Sequence, residues 1–168
     1  MKYLIVVGMQ VDFITGSLGS DLAAAIVPNV VNKVKAFDGT VIFTRGTHFE
    51  DYMTTQERRN LPVPHCIKES DGWQICEELR PYAKILLDKP TFGSVELPQF
   101  LKDLGEPIES IELCGLCTDI CVISNAMLLK ASFPEVPIAV DSACSAGVSV
   151  ESHHTALNAM RAVQIQVL

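Results

Sequence analysis

The sequence predicts an α/β fold with a parallel sheet covered on both faces. Three observations carry that expectation. Short apolar, β-branched runs alternate with segments of helical periodicity along the whole chain. Hydrophobic residues make up 48% and charged residues 20%, without a low-complexity run, so a packed core rather than a disordered chain is expected. The run Ser110–Leu113 reads as a buried strand that ends at Gly115 and feeds straight into a helix, the strand–turn–helix step of a doubly wound sheet.

Taken in order, the strands are expected at Tyr3–Val7, Val41–Thr44, Ile85–Leu87, Ser110–Leu113, Ile138–Val140 and Gln164–Val167. Helices are expected at Leu22–Phe37, Leu97–Leu104, Thr118–Ala131 and Glu151–Arg161. Ser20–Asp21 reads as the cap of the first helix, Thr118 and Asp119 as the cap of the third, and Ser149 or Glu151 as the opening of the last. The stretch 46–80 has weak periodicity and holds Pro62, Pro64, His48 and His65; a loop of that length in a compact domain is usually functional. At 168 residues without a visible linker or repeat, one domain spanning 1–168 is expected, burying roughly two thirds of the surface of the unfolded chain.

A net charge of −7 without a basic patch argues against a nucleic-acid partner. The apolar run near Met1 is too short for an export signal or a membrane span, so a cytoplasmic location without membrane association is the expectation. Six cysteines, at 66, 76, 114, 117, 121 and 144, are then expected as reduced thiols.

In open α/β sheets, ligands sit at the C-terminal ends of the strands. That rule brings residues 8–13, 46–48, 88–93, 115–121 and 141–145 together. Cys121 falls in the first turn of a helix, where free N–H groups and the macrodipole favour a thiolate, and is the leading nucleophile. Cys114 and Cys144 read as packing residues. Lys89, at the end of a strand, is suited to lower the pKa of that thiol and to stabilise anionic intermediates. His48, Glu57 and His65 form a donor set suited to a transition metal, although their spacing is not diagnostic alone. His153 and His154 are expected to be exposed or capping.

Five segments in this order resemble the isochorismatase-like cysteine hydrolases, and within them the nicotinamidase/pyrazinamidase group. They are 4–13 (LIVVGMQVDF), 44–48 (TRGTH), 61–66 (LPVPHC), 88–93 (DKPTFG) and 114–122 (CGLCTDICV). The resemblance implies a three-layer α/β/α fold with a mostly parallel six-stranded sheet. It also implies an Asp–Lys–Cys catalytic set, with Cys121 as nucleophile and Lys89 as the lysine. The Leu116–Cys117 peptide matches one that is cis in relatives, and the N–H groups of Cys117 and Cys121 match an oxyanion hole. Phe13 matches an aromatic residue of the substrate pocket. His48, Glu57 and His65 match ligands of a divalent metal, zinc foremost, with manganese or iron as alternatives.

Two positions depart from the pattern. The family's catalytic Asp falls at Gly8, and a metal-binding Asp falls at Gly46. A general acid–base contributes about 10²–10⁴-fold to such reactions, so the resemblance implies an amidohydrolase of impaired turnover and a weakly held metal. Asp12 lies up to ~13 Å further along an extended chain and matches a different family position, so it is a poor substitute. Three other readings stay open. One is a hydrolase of another small amide or carbamoyl compound. The second is a non-catalytic homologue that binds a small molecule or a protein. The third is a thiol redox protein using Cys117 or Cys114 with Cys121. The expected partner is a small amide, and relatives suggest a homo-dimer or homo-tetramer.

Overall fold

The computed structural model describes residues 1–168 and contains one six-stranded sheet. Its strands are β1 (Lys2–Val7), β2 (Thr40–Gly46), β3 (Leu86–Lys89), β4 (Ser110–Leu116), β5 (Ile138–Ala146) and β6 (Gln166–Val167). They are ordered β3-β2-β1-β4-β5-β6, and every pairing is parallel rather than mostly so. The chain winds outward from β1 through β2 to β3, then crosses back to lay β4 on the other side of β1. The switch point of the sheet therefore lies between the C-terminal ends of β1 and β4, which is where such folds open a crevice.

β1 shows why the sheet must be covered twice. Tyr3, Ile5 and Val7 point into one core with Leu97 and Leu101 of helix α4 (Leu97–Asp103), Val122, Ala126 and Leu129 around helix α5 (Ile123–Ser132), and Leu157 and Met160 of helix α6 (Val150–Ala162). Leu4 and Val6 point into a second core with Ile26, Val27, Val30 and Val34 of helix α2 (Asp21–Ala36) and with Ile75 and Leu79. Two short helices, α1 (Val11–Ile14) and α3 (Gln56–Asn60), lie in the connections after β1 and β2. No helix is long and apolar enough to cross a membrane.

The capping expectations divide. Ser20 caps α2 by accepting the Ala23 N–H at 3.1 Å, and Ser149 forms a capping box with Ser152 at α6. Thr118 and Asp119 do not cap α5. Cys117 is the residue that precedes a π turn over Thr118–Val122, and α5 begins only at Ile123. Both side chains are committed to α6 and its approach: Thr118 Oγ1 bonds His153 Nδ1 at 2.7 Å, and Asp119 Oδ1 accepts the Val148 N–H at 3.1 Å. His153 is accordingly half-buried rather than exposed. The last strand is also shorter than expected, because Gln164 takes φ +67 and turns the chain before β6.

At β4, Gly115 has φ +118, and a β-carbon there would run into the carbonyl of Val7 on β1. Only glycine lets the two strands approach at that point. The β4–β5 register shifts between Leu113 and Gly115. β5 meets the shift with Asp141, whose Oδ1 accepts the N–H groups of Ala143 and Cys144 and whose Oδ2 pairs with Lys33 at 2.7 Å.

Candidate functional site at the switch point

One cleft opens over the C-terminal ends of β1, β2, β3 and β4, enclosing about 820 Å³ with its solvent-open mouth included. Its wall brings together Phe13, Gly46, His48, Glu57, His65, Lys89, Cys117 and Cys121, all expected at a site from the sequence. Leu18, Leu61, Phe92, Ile120 and Val148 add apolar surface around them. Gly8 is buried and does not reach the wall.

The histidine cluster is built by a short parallel bridge between His48 and Ile67. The His48 N–H donates to Cys66 O at 2.9 Å, and the Lys68 N–H donates to His48 O at 2.8 Å. Cys66, at φ +49, turns the chain so that His65 faces back into the cleft. Asp12 holds that turn: its Oδ2 accepts the Cys66 N–H at 2.7 Å, while Oδ1 accepts the Ser17 N–H at 3.3 Å. Asp12 is thereby a scaffold residue for the loop that carries His65. Buried Tyr52 packs edge-on against both imidazoles, 4.8 Å from His48 and 5.1 Å from His65, and its hydroxyl donates to Leu61 O at 2.6 Å.

Both imidazole Nε2 atoms lie 3.4 Å from Oε1 of Glu57. Burial raises the Glu57 carboxyl, but the hydrogen bonds and charge of His48 and His65 outweigh it and hold its pKa at about 2. His65 Nδ1 lies 2.8 Å from Val63 O, an acceptor only, so this nitrogen carries a proton. In the neutral ring, Nε2 then turns a lone pair toward a carboxylate oxygen. A divalent cation between them would relieve the repulsion of the two lone pairs. The two nitrogens and the carboxylate lie within 4.8 Å of one another, and an N₂O set with the His65 tautomer fixed by a backbone carbonyl fits zinc.

Lys89 is only 2% exposed at the end of β3. Its Nζ donates to Thr91 O at 3.0 Å, and no carboxylate of the chain pairs with it. Cys121 is 6% exposed in the π turn after β4. The Leu116–Cys117 peptide is cis, and the Cys117 N–H makes no hydrogen bond within the protein. Asn125 couples the lysine segment to the cysteine segment. Its Nδ2 donates to Cys121 O at 2.8 Å and Phe92 O at 3.2 Å, while its Oδ1 accepts the Ser94 N–H at 2.9 Å.

The sequence did not single out Gln10, Trp73, Tyr52 or Asn125. Gln10 is fully buried and grips Gly46 from both sides. Its Oε1 accepts the Gly46 N–H at 2.7 Å, and its Nε2 donates to Gly46 O at 2.8 Å and Trp73 O at 2.9 Å. Trp73 donates from Nε1 to Thr47 Oγ1 at 2.8 Å and lies under the Arg45 guanidinium at 3.4 Å. The one available signal for Gln10 was its place two residues after Gly8, at the end of a buried strand.

All six cysteines are free thiols. Burial, with Cys121 and Asp119 adding to it, pushes the Cys117 thiol up to about 12. Burial and Cys144 push Cys114 up as well. Cys114 sits in the α2-side core, whereas Cys121 sits in the α5-side core. Neither partner suggested for a redox pair is poised as a thiolate.

The two glycines at the expected carboxylate positions differ. Gly8 takes φ +61, and a β-carbon on it would stand 2.6 Å from Leu116 O. At Gly46 a β-carbon would meet only ordinary contacts, 3.5 Å from Gln10 Oε1, 3.8 Å from Phe13 Cε2 and 3.9 Å from Lys89 Nζ. The first position is blocked by backbone, whereas the second would seat a β-carbon in ordinary van der Waals contact.

Comparison with known proteins agrees with this picture. Residues 2–168 match the family model of the isochorismatase domain. A nicotinamidase/pyrazinamidase from Bacillus subtilis is 27% identical, with a TM-score of 0.86 over 99% of this chain and 98% of that chain. N-carbamoylsarcosine amidase from Thermoplasma acidophilum is 25% identical, with a TM-score of 0.80 over 99% of this chain and 94% of that chain. The pyrazinamidase of Pyrococcus horikoshii, solved in complex with zinc, shares the fold at 23% identity, with a TM-score of 0.83 over 99% and 98% of the two chains. No curated protein matches the chain. Because the family match runs from the second residue to the last and covers every strand that forms the cleft, the chain belongs to the isochorismatase family.

Proposed function

We propose that the chain is a cysteine hydrolase of the nicotinamidase type, which cleaves nicotinamide or a similar small amide with low turnover. The observation that carries this reading is the shared cleft of Cys121, Lys89 and the His48–Glu57–His65 cluster. Similarity to a nicotinamidase/pyrazinamidase at 27% identity supports the substrate class. The N-carbamoylsarcosine amidase likeness keeps carbamoyl compounds as the alternative substrate class.

In this reading Cys121 is the nucleophile. The Lys89 ammonium in the same cleft and the N–H groups at the start of the helical segment favour its thiolate. Sγ attacks the amide carbonyl, and the oxyanion rests on the backbone N–H groups of Cys117 and Cys121. The C–N bond then breaks to leave a thioester and ammonia. Water attacks the thioester carbonyl, which releases the acid and returns the thiolate. Phe13 offers a flat apolar wall for the ring of the substrate. A divalent metal held by His48, Glu57 and His65 would supply a fixed positive charge with an open coordination position.

No side chain at position 8 moves protons, and Asp12 is committed to Cys66 and Ser17. Proton transfer to the leaving nitrogen and from the attacking water falls to solvent, at a loss of about 10²–10⁴-fold in rate. The test is intact-protein mass spectrometry after incubation with nicotinamide, alongside ammonia release. An acyl adduct on Cys121, absent from Cys121→Ala, is expected. An unmodified protein together with zero ammonia release would refute the amidase reading.

A further inference from the structure

Resting on the reading of the Cys117 and Cys121 N–H groups as oxyanion donors, we propose that His153 of α6 is a positioning residue. It keeps the turn that carries Cys121 open by taking the hydroxyl that would otherwise cap it. Thr118 lies three residues before Cys121, the spacing at which a Thr that starts an α-helix accepts the N–H of the third helical residue. In that ordinary start Thr118 Oγ1 would consume the Cys121 N–H, and the donor would be lost to a substrate. The structure takes the other course. No side chain caps the segment, a π turn stands in place of the capped start, and Thr118 Oγ1 bonds His153 Nδ1 at 2.7 Å.

Burial gives that choice its consequence. Thr118 is fully buried, and His153 is the partner of its hydroxyl. A buried hydroxyl left unpaired costs about 1–3 kcal/mol, so a Thr118 released from His153 is driven toward the N–H groups of its own turn. His153 is a fixed anchor for this bond. Its own N–H donates to Ser149 O at 3.0 Å, within the first turn that the Ser149–Ser152 capping box closes. Gly147 packs against it so closely that a β-carbon there would stand 2.8 Å from His153 N. Asp119, the other residue with the chemistry of a cap, is drawn the same way, its Oδ1 accepting the Val148 N–H at 3.1 Å. Both local caps are thus spent on α6 and its approach, which leaves the turn at Cys121 uncapped.

The probes are benzaldehyde and benzamide, with affinities measured by calorimetry. Cys121 Sγ adds to the aldehyde carbon and the carbonyl π pair moves onto oxygen, so benzaldehyde affinity reads the two N–H donors; unreacted benzamide reads the cleft without them. His153→Ala should weaken benzaldehyde at least about tenfold, part of the about 10²–10³-fold that a whole oxyanion donor supplies, with benzamide within about twofold. His153→Leu, which keeps apolar bulk without a polar atom, should do the same and serves where the alanine variant does not fold. His153→Asn, whose amide reaches the place of Nδ1, should restore the affinity. Adding Thr118→Val to His153→Ala should restore it too, because no hydroxyl is left to cap Cys121; a residue that merely held the fold would lose more with the second substitution. Benzaldehyde affinity unchanged in His153→Ala and His153→Leu, or a loss that Thr118→Val does not reverse, would overturn the proposal and leave the amidase reading standing. Benzaldehyde affinity that is the same in Cys121→Ala would sink the amidase reading itself, and this proposal with it.

Discussion

Gly8 and Leu116 close the switch point of the sheet backbone to backbone: a β-carbon on Gly8 would lie 2.6 Å from the Leu116 carbonyl oxygen, and Gly8 sits at φ +61. A carboxylate side chain at position 8, which the family resemblance leads one to expect, would therefore find no hole there. The end of β4 has settled into the place that side chain would need, just before the turn that carries Cys117 and Cys121.

Restoring the carboxylate at position 8 is expected to be costly. Left-handed backbone costs a non-glycine residue roughly 1–2 kcal/mol, although Asp tolerates it better than most, and the Leu116 carbonyl must also move. Gly8→Asp should lose about 1–3 kcal/mol of stability, a fall in Tm of about 2–12 °C, by thermal denaturation. Its ammonia release from nicotinamide should rise by less than the about 100-fold that a well-placed acid–base supplies. A larger gain without loss of stability would mean that the backbone at 8 relaxes freely, contrary to its packing here.

The His48–Glu57–His65 cluster gives a different prediction, because its donor atoms are already assembled. Added zinc should stabilise the chelator-treated protein by about 2.7 kcal/mol at a hundredfold excess over its Kd, a rise in Tm of roughly 5–11 °C. Glu57→Gln should remove most of that rise, since it replaces the anionic ligand at the centre of the cluster. A zinc-induced shift unchanged in Glu57→Gln would place the metal elsewhere on the protein.

Gln10 should prove more damaging to lose than its distance from the reacting thiol suggests. Gln10→Ala strips partners from the Gly46 N–H, Gly46 O and Trp73 O in a fully buried setting. Each unsatisfied buried group costs about 1–3 kcal/mol before relaxation, so a net loss of about 2–4 kcal/mol is expected in urea denaturation. His48, two residues beyond Gly46, should then hold zinc more weakly. A variant of unchanged stability and zinc affinity would show that the Gly46 strand end holds itself.

Much of this architecture was legible before the structure, for local reasons. β1, α2 and the approach to Cys121 are strongly patterned by burial: Leu4, Ile5, Val6 and Val7 are fully buried, and Ser20 caps its helix through its immediate neighbours. What was not legible depends on partners far away in the chain. Thr118 and Asp119 have the chemistry of caps, but α6 supplies competing partners in His153 and the Val148 N–H. Gly8 and Gly46 look equivalent in sequence, each a glycine where a carboxylate is expected. Only the position of the Leu116 carbonyl blocks a β-carbon at Gly8, while Gly46 would take one in ordinary contact. Asp12 already reads as a poor substitute base, but its work of accepting the Cys66 N–H, 54 residues on, is not legible in the sequence.

The Thr118–His153 contact makes a prediction about pH. Burial lowers the His153 pKa from its ordinary value of 6.5, with His154 lowering it further against the opposing pull of Asp119. Asp119 and His154 are the charged groups that face it, and Thr118 Oγ1 bonds its Nδ1 at 2.7 Å. Because the folded pKa lies below the unfolded one, the unfolded chain takes up a proton first as pH falls. The stability from keeping His153 neutral is thus complete above about pH 6.5 and is lost as pH falls through the lower, folded value. His153→Gln keeps a hydrogen-bonding side chain but does not titrate. Urea denaturation of the two proteins between about pH 7.5 and pH 5 should show a shallower decline for the variant. Parallel pH profiles would mean that His153 titrates alike in the folded and unfolded chains, and that its bond to Thr118 does not depend on its charge.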